Sequence, residues 1–129
     1  MKLSLILLLG VLLLSSCASQ TQPSGTGFLE GKISIGPLCP VERFPPDPNC
    51  QPTPETFKAW LIAVYQDETK IILLNPNLDG AYRVELPVGD YVVDLEKSMG
   101  IGGKNLPATV IIKSGEITTL NIDIDTGIR

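Results

Sequence analysis

The chain has 129 residues, a length that corresponds to one domain once the N-terminal segment described below is set aside. Its ten basic and fourteen acidic residues give a net charge of −4, which excludes nucleic-acid binding, because Lys and Arg must neutralise the phosphates. The sequence contains no histidine, so the most common general base and most zinc sites are also excluded.

The N-terminal segment has the order of residues that is typical of an export signal. Lys2 precedes an apolar run over residues 3–14, and small residues follow. The run is shorter than the roughly 18 apolar residues that a membrane-spanning helix needs. We therefore predict that residues 1–16 are a signal peptide that is cleaved off.

The end of that run, Leu14-Ser15-Ser16-Cys17, resembles the lipobox of bacterial lipoproteins, in which the cysteine is acylated and becomes the first mature residue. The resemblance implies a lipid anchor on Cys17, where each buried CH2 group contributes about 0.8 kcal/mol to membrane binding. Ala18 occupies the position at which an Asp tends to retain lipoproteins in the inner membrane of Gram-negative bacteria. In a cell with two membranes, the resemblance therefore implies that the protein is located in the outer membrane. An ordinary secretory signal that contains a cysteine is the alternative.

Residues 17–27 are predicted to be the acylated cysteine and a flexible tether, since they are small, polar and without apolar periodicity. Ten such residues reach about 17 Å, which would keep the folded part close to the membrane surface. The folded domain is predicted over residues 28–129.

Residues 36–54 contain seven of the eleven prolines and both remaining cysteines. With Cys17 used by lipid, Cys39 and Cys50 are an even pair in an exported domain, and we predict that they form a disulfide. Phe44, Pro45 and Pro46 make a stiff apolar stretch that is suited to partner binding. The alternative is that the segment only connects the first two strands.

From residue 28 onward apolar residues alternate with polar ones between turn residues, a period of two that predicts strands. A hairpin with a long loop is predicted over residues 73–86. Seven strands with short connections predict an all-β sandwich of two antiparallel sheets. The predicted strands cover residues 28–35, 56–67, 69–74, 81–86, 90–96, 108–113 and 117–124.

Two motifs, DGAY over residues 79–82 and LPVGDY over residues 86–91, resemble the carboxypeptidase regulatory-like domain, a seven-stranded transthyretin-like (prealbumin-like) sandwich. Gly80 and Gly89 permit tight reversals, and Tyr91 is expected to return to the core with its hydroxyl near a partner. All the matching residues are structural. The resemblance therefore implies a fold and no catalytic residue, and the hydrolase branch of transthyretin-like proteins relies on histidines that this chain lacks.

Two further patterns favour simple structural roles. Residues 99–104 hint at a phosphate loop, but Asn105 stands where Ser or Thr is needed and Pro107 blocks a following helix, so a flexible connection is predicted. Asn121, Asp123 and Asp125 share one face of the last predicted strand, as calcium ligands would. Side chains about 7 Å apart favour a solvated face instead. No metal and no cofactor is predicted.

These observations predict a membrane-anchored, exported lipoprotein of the cell envelope that acts as a non-catalytic binding or structural accessory module. Its partners would be the membrane, through Cys17, and an envelope protein or glycan. Two alternatives stay open. A small-ligand or carbohydrate-binding module would need Trp60, Tyr65 or Tyr82 exposed as a stacking platform, and a hydrolase would need two carboxylates converging within about 5 to 10 Å.

Overall fold

The computed structural model describes residues 24–41, 43–97 and 102–129, so the predicted signal peptide, Cys17 and most of the tether lie outside the described residues. In the described ranges the chain forms nine strands, not seven, with one short α-helix, α1 (Pro54–Ala59), and a 3-10 turn (Pro48–Cys50). The strands are β1 (Thr26–Gly36), β2 (Ile62–Gln66), β3 (Thr69–Leu73), β4 (Ala81–Pro87), β5 (Gly89–Leu95), β6 (Gly102–Gly103), β7 (Ala108–Ile112), β8 (Ile117–Thr119) and β9 (Ile122–Asp125).

The strands form two sheets, as predicted for an all-β sandwich. Sheet 1 is built around β1, with β4 antiparallel along one side, β8 and β9 parallel along the other, and β6 beyond β9. Sheet 2 has the order β3-β2-β5-β7 and is antiparallel throughout. The parallel pairing of β1 with the last two strands departs from the all-antiparallel prediction.

The core lies between the two sheets, where the inward side chains of both meet. Alternation along each strand places every second residue inward, and burial of these aliphatic and aromatic groups is the main driving force for folding. No charged or polar residue is fully buried in the part of the chain that the structure describes. The largest buried side chains are Leu29, Ile62, Val64, Leu86, Tyr91, Val93, Ile112, Ile122 and Ile124.

The predicted strand over residues 56–67 is wrong in its first half, which is the helix α1. Thr53 caps this helix, since its side chain accepts the Thr56 N–H and the Thr56 hydroxyl accepts the Thr53 N–H. Pro54 occupies the first helical position, where a missing N–H costs nothing. The cap and the proline override the strand-like alternation up to Ala59.

The hairpin predicted over residues 73–86 is also wrong, because β3 and β4 lie in different sheets. β3 pairs with β2, and β4 pairs with β1. The chain crosses between the sheets through a loop in which the Asn77 side chain accepts the N–H groups of Asp79 and Ala81, each at 3.0 Å. The turn residues therefore predict the loop correctly, but they do not predict which strands pair.

The last predicted strand, over residues 117–124, is two strands, because the chain steps aside at Leu120 and Asn121. The Asn121 side chain accepts the Lys32 N–H at 3.0 Å, and the Tyr82 hydroxyl donates to the Leu120 carbonyl at 2.5 Å. A Cβ atom on Gly31 would lie 1.9 Å from that carbonyl oxygen, so the step requires glycine at this position.

The expectation for Tyr91 is confirmed. Its ring is buried, and its hydroxyl donates to the Pro87 carbonyl at 2.6 Å. The bond ties the start of β5 to the end of β4 across the turn that carries the LPVGDY motif.

A first prediction concerns the turn between β2 and β3. Asp67 and Glu68 both have positive φ, 48° and 65°, which is the geometry of a type I′ turn. Because a side chain in this region is strained, we expect Glu68→Gly to raise the free energy of unfolding by up to about 1 kcal/mol. Urea unfolding measures the change, with Glu116→Gly as the control at a residue of ordinary φ. A variant less stable than the wild type would contradict this account.

A second prediction concerns alkaline pH. Burial raises the pKa of Tyr82 to about 12 and also raises the pKa of Tyr91. The unfolded chain loses its tyrosine protons near pH 10, so the free energy of unfolding should fall as pH rises from about 10 to about 12.

Replacement of Tyr82 by Phe tests the pH dependence. At pH 7 we expect Tyr82→Phe to lower the free energy of unfolding by about 1 kcal/mol, because the bond to the Leu120 carbonyl is lost. Between pH 10 and 12 the same variant should lose less stability than the wild type. Urea unfolding at several pH values in this range measures the difference. If the free energy of unfolding falls equally with pH in both proteins, Tyr82 ionisation does not control alkaline unfolding.

Candidate functional site

Residues 36–54, here called the disulfide loop, leave the C-terminal end of β1 and return to α1. Cys39 and Cys50 form a disulfide with their Cα atoms 5.6 Å apart, which confirms the predicted pair. At the base of the loop the Thr126 N–H donates to the Gly36 carbonyl at 3.1 Å, and the Thr126 hydroxyl donates to the Pro37 carbonyl. Both the disulfide and the C-terminal segment therefore hold the loop.

The second half of the disulfide loop has its own internal order. Asp47 caps the 3-10 turn: its carboxylate accepts the Asn49 N–H at 2.8 Å, and its carbonyl accepts the Cys50 N–H at 2.9 Å. Pro48 at the start of the turn has no N–H to satisfy. The segment next to the exposed apolar residues is thus fixed by local bonds as well as by the disulfide.

Four exposed residues of the loop are apolar. Phe44 is 98% exposed and Val41 is 66% exposed, and Pro45 and Pro46 are exposed beside them. We call these four residues the apolar tip. Burial of a phenylalanine side chain contributes about 1.5 to 3 kcal/mol, which Phe44 forgoes in the isolated chain and a partner would recover.

The apolar tip borders a cavity of about 260 Å3, lined by Val41, Arg43, Pro46, Asp47, Cys50 and Gln51. Phe44, Pro45 and Pro46 were predicted from the sequence. Val41 and the charged side chains that line the cavity, Arg43 and Asp47, were not predicted. The signal for Val41 was available, since an aliphatic residue between prolines in an exposed loop has no strand face to pack on.

Cys17 lies outside the described residues, so its acylation stays a prediction. In the described ranges, no helix has the length and apolar character that a membrane crossing requires. The first described strand, β1, begins at Thr26, two residues before the predicted domain start, and shortens the predicted tether accordingly.

The aromatic platform proposed for a carbohydrate-binding module is not formed by two of its three residues. Trp60 is 6% exposed and Tyr82 is 5% exposed, and both belong to the core between the sheets. Tyr65 alone keeps part of its ring at the surface. Sugar stacking on Trp60 or Tyr82 would require the core to open.

The row of oxygen ligands considered for calcium is engaged elsewhere. Asp123 pairs with Lys104 at 3.1 Å, and Asp125 pairs with Arg129 at 2.9 Å. The Arg129 guanidinium and the Gly127 N–H hold the pKa of Asp125 below its usual range. Among the described residues, no group of three His, Cys, Asp or Glu side chains is placed to hold a metal.

The loop considered for phosphate binding is only partly described. Gly102 and Gly103 form β6, which pairs with β9, so this part is ordered and not a free connection as predicted. The Lys104 ammonium, which would contact a phosphate, is bound to Asp123. Residues 98–101 lie outside the described ranges.

Three carboxylates do share one surface cavity, as a carboxylate-based hydrolase would require. Asp67, Glu68 and Asp94 line it together with Tyr65 and Val92, and its volume is about 350 Å3. Asp67 and Glu68 are exposed to solvent, whereas the general acid of a catalytic carboxylate pair needs an apolar, partly buried site. The cavity therefore favours binding over hydrolysis.

No family model and no curated protein sequence matches the chain. Solved structures with a similar strand arrangement include a minor pilin of Streptococcus agalactiae, at 17% identity and a TM-score of 0.49, covering 80% of this chain and 45% of the pilin. A DUF3823 family protein from Parabacteroides merdae matches at 15% identity and a TM-score of 0.47, over 78% and 46% of the two chains. The Bacillus anthracis TIE protein matches at 14% identity and a TM-score of 0.48, covering 78% of this chain and 16% of the TIE protein. The chain thus spans less than half the length of each, and no activity follows from the likeness.

A third prediction concerns the disulfide. Because it closes a segment with a sequence separation of 11, the double variant Cys39→Ala/Cys50→Ala should lose about 3 kcal/mol of unfolding free energy. The sheets should persist, since neither cysteine belongs to the core. Urea unfolding with and without reductant measures the loss. Cys17→Ser, which keeps the disulfide, is the control that should match the wild type in both conditions. Equal midpoints in both conditions would show that the disulfide does not stabilise the loop.

Proposed function

We propose that this chain is a lipid-anchored protein of the bacterial cell envelope whose sandwich is a non-catalytic binding module. The anchor is Cys17, as its lipobox-like surroundings imply, and Ala18 directs the protein to the outer membrane where the cell has one. The binding element is the apolar tip of the disulfide loop, and its partner is an envelope protein or glycan.

The observation that carries this proposal is the exposure of Phe44 on a segment that is already ordered. Phe44 is 98% exposed, while the disulfide and the Thr126 bonds hold the loop at its base. A preordered loop loses little conformational entropy when it binds, so less of the apolar contact energy is offset by the cost of ordering the loop. A loop that served only as a connection would have no need of an exposed phenylalanine ring.

The direction of β1 supports the same role. The tether enters at Thr26 and the disulfide loop leaves at Gly36, at opposite ends of one continuous strand. At about 3.3 Å per residue these ends are about 33 Å apart. A lipid on Cys17 would hold the entering end near the bilayer, and the apolar tip would then point away from it.

A fourth prediction tests the anchor. Intact mass measurement of the full chain, expressed in a bacterium and extracted from its membranes, should give a polypeptide that begins at Cys17 and carries acyl chains. The variant Cys17→Ser should lose both the added mass and the membrane fraction. An unacylated mature chain that begins at another residue would refute the anchor but would leave the binding role of the loop open.

The loop itself is tested by a photoreactive phenylalanine analogue at position 44 of the membrane-bound protein. We expect one dominant adduct, which excess wild-type protein displaces and excess Phe44→Ser does not. The matched control carries the same analogue at Ile117, an exposed apolar residue of β8 that pairs with Phe28 near the opposite end of β1. Identical adducts from both positions would show that the apolar tip has no selective partner.

A further inference from the structure

The two outer faces of the sandwich differ in chemistry. On sheet 1, the register places Glu30 opposite Arg83, and their side chains approach to 3.7 Å. The Arg83 guanidinium also lies 4.2 Å from the centre of the Phe28 ring and covers it. Lys32 adds a further exposed charge. This is the solvated outer face that antiparallel sheets usually present to water.

The outer face of sheet 2 is apolar at its centre. Its register places Tyr65 beside Val92 and Val92 beside Thr109, in one row across β2, β5 and β7. Leu73 and Ile111 lie in the flanking rows. Val92 is 40% exposed, Ile111 55% and Leu73 37%, so the aliphatic surface is open to solvent. Contiguous exposed apolar surface of this kind marks interaction sites.

Carboxylates surround this apolar row. Asp90 lies opposite Ile111 and Asp94 opposite Ala63, both on the outward side, and the turn residues Asp67 and Glu68 close one end. Asp67, Glu68 and Asp94 also line the cavity of about 350 Å3 whose floor includes Tyr65 and Val92.

Positive charge within the four strands of sheet 2 is already neutralised. The four strands of sheet 2 contain one basic residue, Lys70, and its ammonium is 2.5 Å from the Glu96 carboxylate. Lys113 follows β7 just beyond its last residue and adds one exposed positive charge at that edge, but the four carboxylates of the rim outnumber it. The face therefore combines an apolar centre with a rim of carboxylates whose field is negative.

We propose that the outer face of sheet 2 docks a polypeptide segment that is apolar and cationic. Its apolar side chains would lie on Tyr65, Val92 and Ile111, and its Lys or Arg side chains would reach the carboxylates of the rim. A cation beside Tyr65 would also gain from the negative face of the ring. Four strands about 4.8 Å apart present a width of about 14 Å, which suits one extended or helical segment.

The negative rim favours a cationic segment over two other occupants of an apolar face, namely a second copy of the chain and an anionic lipid surface. A second copy would bring its own carboxylate rim against this one, and an anionic lipid surface would be repelled in the same way. A segment with alternating cationic and apolar residues meets both features of the face at once. This surface is separate from the disulfide loop, so it goes beyond the proposed function.

The test uses the full chain and a fluorescent peptide of alternating Lys and Val residues, followed by anisotropy and mapped by amide shifts. We expect binding at β2, β5 and β7. It should weaken as the salt concentration rises from about 0.05 to about 0.5 M, because the Debye length falls to a few ångströms. Val92→Lys should weaken binding about tenfold or more, since it adds like charge and removes apolar contact. Ser34→Lys adds the same charge on sheet 1 and should change it by less than about twofold.

Four outcomes would overturn the proposal. They are no binding at millimolar peptide, equal binding of a Glu–Val peptide, equal weakening by Ser34→Lys, and a dimer in sedimentation that Val92→Lys dissociates. If circular dichroism shows that Val92→Lys is unfolded, Ile111→Lys replaces it at a more exposed position with the same expected loss. Phe44→Ser should leave peptide binding unchanged, which separates this face from the apolar tip.

Discussion

The close approach of the Leu120 carbonyl to the α-carbon of Gly31 is the contact on which sheet 1 depends. It lets the C-terminal part of the chain run beside β1 as two short strands, with the step between them fixed by the Tyr82 hydroxyl. Tyr82 belongs to β4, so one hydrogen bond links all three neighbours of the sheet's centre. A side chain at position 31 would force Leu120 outward and separate β1 from its parallel partners.

Local patterns predicted most strands because alternation depends only on neighbouring residues. β4, β5 and β7 begin and end within one residue of their predicted positions, and the bond from Tyr91 was anticipated from its motif. The errors have longer-range causes. The step at Leu120 depends on Gly31, which is far away in sequence, and the sheet that receives β3 is decided by β2. The helix after Thr53 begins with a cap whose second member, Thr56, is a weaker sequence signal than Glu or Gln.

The candidate sites differ in the same way, since one depends on neighbouring residues and the other on residues from separate strands. Cysteine number and proline content were enough to identify Cys39, Cys50 and Phe44, since both features belong to one segment. The sheet 2 face was missed because its members come from separate strands, and only their register makes Tyr65 and Val92 neighbours. The signal was present in the sequence as apolar residues at positions that the structure places outward, such as Val92 and Ile111.

The parallel pairing of β1 with β9 also determines how the domain responds to a pulling force. Residues 33–36 of β1 run in the same direction as Ile122–Asp125, so tension applied at Thr26 and at Arg129 acts along the two strands in opposite senses. Their hydrogen bonds are then loaded together in shear and not broken one after another. Unfolding under force is a rate process, and such a geometry slows it. With the proposed lipid on Cys17, such a domain would transmit load between the bilayer and a partner bound at the other end of β1.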